Sequence, residues 1–436
     1  MASSPSSSSP QRSDWFSIGL LSVVRVFRSV AAGFINLMFP YFVVVQLFNK
    51  NPVGYLTLGY VYVAATFATA LLGLLMGYAA DTLGRKATFL IALAMLPAST
   101  GLLLLSQTLP VVYLAAAIGG YSATGSLAGG GVGGVAAPIQ SALITDLSTR
   151  HDRTFLFGAL AFISGIAAAF GALGAGFLGT SEILVIATAL GTVSLALGVF
   201  IRDRTEPPRG QRLRTAVTIG KFSLTGILNG ASQGLVTPFL IPFFILIYDV
   251  KQDTMGIWAT VSGLVAAFSL LLAPWIERRL GFLRSIYVTR GGTILLALAF
   301  PVIQLFPASL ALYCIFPSLR VMAVPVQQSA MMDLVSEGER GRALGINQGL
   351  RLAFSAVGTG FTGYEFNVSS IYIPFVAYAA VMTGNLVLYR LFFHGYESPE
   401  MRRGAVPDSV GETPGPAAAS AEDPVASPVQ PEERMR

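Results

Sequence analysis

Charge is scarce in this chain, and thiol and imidazole groups are scarcer. Of 436 residues only 11% are Asp, Glu, Lys or Arg, one is cysteine and two are histidine. A lone Cys314 excludes an internal disulfide framework and a cysteine-rich metal site. His151 and His394 lie far apart at predicted helix ends and do not gather the several N, S or O ligands a metal needs. No metal and no cofactor is expected. The parts of an enzyme are missing too: there are no paired buried carboxylates, no His/Glu zinc spacing and no Ser/His/Asp set, so the chain is not read as an enzyme.

Apolar surface is what the sequence has instead. With 53% apolar residues and a mean hydropathy of +0.66, the chain belongs in a bilayer rather than in water. Its formal net charge of +6 does not point to nucleic acid, because the basic residues fall in short clusters between apolar runs. About twenty apolar residues cross a hydrocarbon core of about 30 Å. Twelve such segments are expected, at 15–47, 53–80, 86–107, 110–147, 153–179, 182–202, 216–248, 253–280, 283–306, 308–334, 340–365 and 370–394. They run without period-2 alternation, which selects helices over a closed barrel.

Loop charge orients the segments. Fifteen Lys and Arg residues follow segments two, four, six, eight and ten, and only Lys50 and Lys251 lie in the loops on the other side. By the positive-inside bias both termini are expected in the cytoplasm, with the protein multi-pass in the plasma (cell inner) membrane. Residues 1–14 read as a disordered leader, 15–202 and 216–394 as six-helix bundles, 203–215 as an Arg-rich cytoplasmic linker, and 395–436 as a disordered tail. The first apolar segment is too long for a signal-peptide core and is expected to stay as a membrane helix.

The halves repeat. Pro138, Gln140, Asp146, Leu147, Arg153, Gly158, Ala169, Gly171 and Gly176 recur 187 residues later as Pro325, Gln327, Asp333, Leu334, Arg340, Gly345, Ala356, Gly358 and Gly363. Segments four and five are thus copied as ten and eleven. A weaker copy links the charged turn Gly77-x3-Asp81-x2-Gly84-Arg85-Lys86, after segment two, with Glu277 to Arg284 after segment eight.

That turn, the Asp-x6-Arg-x4-Gly element after segments four and ten, and twelve helices in two similar halves resemble the major facilitator superfamily of secondary transporters. The resemblance implies an all-α membrane fold of two pseudo-symmetric six-helix bundles that rock about a central site by alternating access. It implies a conformational latch of Gly77, Asp81, Gly84, Arg85, Lys86, Asp146, Arg153, Glu277, Asp333 and Arg340. In it Asp81 would accept hydrogen bonds near a helix N-terminus, Gly84 would make a tight turn, and Arg85 and Lys86 would pair across the interface. Thr82 departs from the pattern, since the family often has a cation there.

Intramembrane ionisable residues are costly and therefore candidates for function. Arg28 and Arg320 lie about 18 to 20 Å into their helices, near mid-depth. Arg25 and Arg351 also fall within segments, while Arg290 sits close enough to a helix end to snorkel. No Asp or Glu occupies the central part of a segment. The resembled fold lines its cavity with helices one, four, seven and ten, so Arg28 and Arg320 there point to an anionic ligand. Asn36, Asn229, Gln233 and Gln327 complete the expected substrate site; Asn229 and Gln233 stand one turn apart, before Pro238 and Pro242.

Segment four also carries a glycine-rich run from Gly119 to Gly134, which favours a helix break or close packing over a phosphate loop, as no Lys follows it. The expected function is secondary active or facilitative transport of a small solute, with an organic anion preferred. Proton-coupled drug efflux is the alternative, disfavoured by the lack of a buried carboxylate and of the Gly-Pro pair that drug antiporters often carry in segment five. A non-transporting receptor would need docking motifs that the tails lack. The expected partners are a small-molecule substrate, membrane lipid and, for a coupled cycle, a proton or ion; nucleic acid is not among them, and the chain is expected to act as a monomer.

Overall fold

The computed structural model describes residues 14–121, 135–147, 153–201, 215–303, 305–336 and 339–396, and their regular structure is helical. The leader up to residue 13, the linker 203–214, the tail from residue 397 and the glycine-rich run from 122 to 134 lie outside the described residues. So do the side chains of four latch residues, Asp81, Asp146, Arg153 and Arg340.

Thirteen helices can be followed: α1 (Trp15–Pro40), α2 (Pro52–Leu83), α3 (Arg85–Leu105), α4 (Leu109–Gly119), α5 (Ala136–Leu147), α6 (Arg153–Phe177), α7 (Thr180–Val199), α8 (Ala216–Val236), α9 (Leu240–Tyr248), α10 (Gln252–Ala299), α11 (Phe306–Leu334), α12 (Arg340–Asn367) and α13 (Tyr372–Phe393). Their ends have local causes. Asp14 caps α1, its carboxylate accepting from the Ser17 amide at 3.2 Å, and Asn51 caps α2, accepting from the Val53 amide at 3.0 Å. A π-helical turn, Tyr41–Leu47, extends α1. In the second half a 3-10 turn, Thr237–Phe239, carries α8 into α9 at Pro238, which has no amide to continue an α-helix.

Among the described residues, nine helical stretches are long and apolar enough to cross a membrane. One of them, α10, has 48 residues and would be about 72 Å long if straight. Gly281 divides it into 252–280 and 282–299, with φ 76° and ψ 171°. Gly84 separates α2 from α3 in nearly the same conformation, φ 87° and ψ 153°. A side chain is strained in this backbone region, so a single glycine makes each junction. The weak repeat of the charged turn is thus anchored at Gly84 and Gly281, 197 residues apart. Helix α12 has the length of a span but carries Asn347, Gln348 and Arg351; Asn347 and Arg351 are buried inside the protein.

Helix packing extends the repeat. A Cβ added to Gly33 of α1 would lie 2.0 Å from the Ala168 carbonyl oxygen of α6, and one on Gly234 of α8 would lie 1.9 Å from that of Ser355 on α12. Gly33 and Gly234 are 201 apart, and Ala168 and Ser355 are 187 apart. Gly171 against Val30 and Gly358 against Ala231 obey the same two offsets. The bundles meet each other by the same rule: Gly59 of α2 touches Gly363 of α12, and Gly256 of α10 touches Gly176 of α6. Small residues bring helix backbones together where lipid tails offer no hydrophobic drive to association.

Core side chains fall into three clusters. One combines residues from both bundles, with Phe39, Tyr62 and Leu103 from the first and Phe239, Phe243 and Phe366 from the second. A second cluster, around Phe89 and Ile144, draws only on the first bundle. The third, around Phe222 and Phe282, draws only on the second. The shared cluster lies at the face opposite the arginine-rich loops, and cross-bundle polar contacts gather there. Lys50 pairs with Asp249, Tyr41 donates to the Val250 carbonyl at 2.8 Å, and Thr260 donates to that of Ala169 at 3.0 Å.

The glycine contacts predict that Gly234→Val lowers the yield of folded protein sharply and its melting temperature by many degrees, since the added atoms meet backbone that cannot move aside. Gly73 has open space where a Cβ would go, so Gly73→Ala leaves the melting temperature unchanged or slightly raised. Size-exclusion profiles and thermal melts in detergent check both.

Candidate functional site

Polar residues from four helices of the second bundle converge on one cavity, and a fifth helix adds an apolar side chain. Asn229 and Gln233 come from α8, Arg290 and Thr293 from α10, Arg320 from α11, Arg351 from α12 and Met382 from α13. The space, counted out to its open mouth, is about 410 Å³. Asn229 and Gln233 are four residues apart on α8 and so share a face.

The three arginines are held differently. Arg290 is buried and heavily bonded: one guanidinium nitrogen donates to Asn385 Oδ1, the other to Gln327 Oε1 at 2.8 Å, and its carbon lies 4.6 Å from the centre of the Tyr389 ring. The Asn385 amide in turn donates to the Thr225 carbonyl at 2.7 Å, which fixes its orientation. Arg320 has one long bond, 3.4 Å to the Tyr378 hydroxyl, and that hydroxyl donates onward to Thr293 Oγ1 at 2.7 Å. Arg351 donates from one terminal nitrogen to Gln348 Oε1 at 2.7 Å, while its buried Nε has no partner. No Asp or Glu is among the residues lining the cavity, and the undescribed stretch 122–134 contains neither residue. Three guanidinium groups thus share one cavity without a lining carboxylate, an arrangement costly in desolvation.

Of the residues expected at a substrate site, Asn229, Gln233 and Arg320 line this cavity, and Gln327 holds Arg290 from behind. Arg28 and Asn36 lie in the first bundle, away from it. Arg28 is buried, and the neighbouring Arg25 donates from Nε to Ser164 Oγ at 2.6 Å. Pseudo-symmetry relates the two regions: Arg28 plus 201 is Asn229, and Ser164 plus 187 is Arg351. The first bundle therefore carries its cations on its first helix, where the second carries one on its fifth. Arg290 is a correction. Depth alone placed it within snorkelling reach of a helix end, yet Asn385 and Gln327, 95 and 37 residues away, hold it inside. Arg351 was marked as an intramembrane cation, but no one-dimensional signal placed it beside Arg320.

The latch residues are spread along the arginine-rich face. Gly77 has open space beside it, Gly84 makes the turn into α3, and Lys86 is half-buried. Arg85 reaches the Ala142 carbonyl of its own bundle at 3.5 Å. Glu277 is buried, and Asp333 accepts from the Tyr396 hydroxyl at 2.9 Å, again within one bundle.

Two related helical bundles joined at one membrane face, with a buried polar cavity, define a membrane transporter. Residues 21–359 match the family model of the Major Facilitator Superfamily, so the chain belongs to that superfamily and carries a solute. No curated protein matches it in sequence. Among solved structures it is similar to the human organic anion transporter MFSD10, at a TM-score of 0.62 and 14% identity over 87% of this chain and 100% of that one. It is similar to the nucleoside transporter NupG, at 0.67 and 14% over 86% and 100%. The inward-open xylose transporter XylE from E. coli matches at 0.65 and 15% over 89% and 99%. At these identities the likeness is one of fold.

The Arg290 contacts predict that Asn385→Leu destabilises the protein by about 1.5 to 3 kcal/mol, the usual cost of losing a hydrogen bond to a buried charge. Denaturation of the purified variant measures it, and Asn385→Asp, which restores an acceptor and adds a countercharge, recovers most of the loss.

Proposed function

We propose that the chain transports a small organic anion across the plasma (cell inner) membrane by alternating access, with both termini in the cytoplasm. The observation that carries this reading is the convergence of Arg290, Arg320 and Arg351 on one cavity whose lining holds no carboxylate. An anion entering there gains charge-assisted hydrogen bonds and relieves repulsion among three like charges. A cationic drug would meet that repulsion in full. Exchange of a proton would need a titratable carboxylate in the cavity, and none lines it, which weighs against proton-coupled drug efflux.

The Lys and Arg distribution puts the arginine-rich face in the cytoplasm. With the shared core at the opposite face, the two bundles then stand in an inward-facing arrangement. The cycle separates the bundles at the shared core and brings together Gly77, Asp81, Arg85 and their counterparts on the cytoplasmic side. One chain holds every lining residue of the cavity, so a monomer suffices. Exposed apolar side chains such as Phe67, Leu74, Phe170 and Leu295 suit contact with lipid.

Uptake into liposomes containing purified protein tests the reading. Labelled organic anions are expected to enter, and Arg320→Gln or Arg351→Gln is expected to reduce their entry about tenfold or more, as loss of a charged hydrogen bond implies. Transport of xylose or uridine that neither variant changes, with no anion transport, would sink it.

A further inference from the structure

Resting on the anion reading, we infer that the site is built for a doubly charged oxyanion head, a dicarboxylate or a phosphate monoester, and discriminates against the corresponding monoanion. The argument is a count of guanidinium donors. Each arginine has five N–H donors and no acceptor. Arg290 has both terminal nitrogens bonded, to Asn385 and Gln327, and Tyr389 against the face of the group, so it serves as fixed background charge. Arg320 has only the 3.4 Å bond to Tyr378. Arg351 is 7% exposed, and its Nε has no partner although it is buried. A buried donor left unmade is costly, and such a group marks a place where a ligand completes the structure.

Two incompletely engaged forks, from adjacent elements α11 and α12, therefore line one space. A single carboxylate matches one fork in a bidentate pair. It would leave the second guanidinium uncompensated, beside Arg290, in a poorly solvated site. A dianion with two carboxylates, or a phosphate monoester with three oxygens, serves both. The Asn229 amide lies on the same wall for a neutral polar group on the rest of the molecule, and Val321 and Met382 supply an apolar wall.

Wild-type protein in detergent is titrated with succinate, glutarate and glycerol 3-phosphate, each against its singly esterified counterpart, with thermal stabilisation and calorimetry as readouts. At least one dianion is expected to bind tenfold or more tightly than its monoanionic counterpart. Arg320→Gln and Arg351→Gln are each expected to weaken the dianion more than the monoanion and so to narrow that gap; an Arg351→Lys variant that keeps the full gap overturns the role given to the guanidinium fork. Because the decisive comparison uses wild-type protein, a variant that fails to fold does not remove the test. Equal binding of dianion and monoanion overturns the inference and leaves the anion reading standing. Binding of neutral solutes with no response to any anion overturns both. The carboxylate and phosphate arms tell which head is preferred.

Discussion

A single apolar core shared by the two bundles at one membrane face governs the rest of the architecture. Phe39, Tyr62, Phe239 and Phe366 meet there, and the glycine contacts of α2 with α12 and of α6 with α10 draw the backbones close. Toward the other face each bundle has a core of its own. The shared core and the two separate ones leave each bundle packed within itself. Aromatic packing is non-directional enough to be exchanged for another set of contacts, so the join is a contact surface and not a weld.

The buried cations sit where this arrangement is most expensive for them. A guanidinium removed from water needs partners, and the second bundle answers the need unequally. Arg290 has both terminal nitrogens bonded, to Gln327 of α11 and Asn385 of α13, and the Tyr389 ring beside it. Arg320 and Arg351 do not, and their incomplete environments face the cavity. Structural arginines in membrane helices find carbonyls, amides or acids inside the protein. The contrast within one bundle separates the residue that supports the site from those left to meet a solute.

Much of the fold was legible in the sequence, because a bilayer leaves a chain few ways to satisfy its backbone. Helix ends fall within a few residues of the apolar boundaries at Trp15, Ala216 and Phe393. The ungapped copy 187 residues apart was visible for segments four, five, ten and eleven. Its continuation through Gly84/Gly281 and Gly33/Gly234 was not, since the offsets change to 197 and 201 and little besides glycine is retained. Of the cavity, Asn229, Gln233 and Arg320 could be read because polar residues inside the membrane are rare. The roles of Arg290 and Arg351 could not, because burial and partners depend on helices distant in sequence. Depth along one helix says how far a cation lies from water and nothing of what it touches.

The changing offset is also a record of descent. Gly33 and Gly234 stand 201 apart; past the π-helical turn, the matching hydrogen bonds of Lys50 to Val44 and of Val250 to Phe244 stand 200 apart. At Gly59 and Gly256 the figure is 197, and it holds at Pro110 and Pro307, each at the start of its helix. By Pro138 and Pro325 it has fallen to 187. Ten residues therefore separate the duplicates here: Leu109 to Leu147 spans 39 residues, where Phe306–Leu334 spans 29. The halves kept their packing glycines and differ in length at two places, by four residues between Gly33 and Gly59 and by ten between Pro110 and Pro138, so the copies are alike in how their helices touch and unlike in how far the chain runs between those touches.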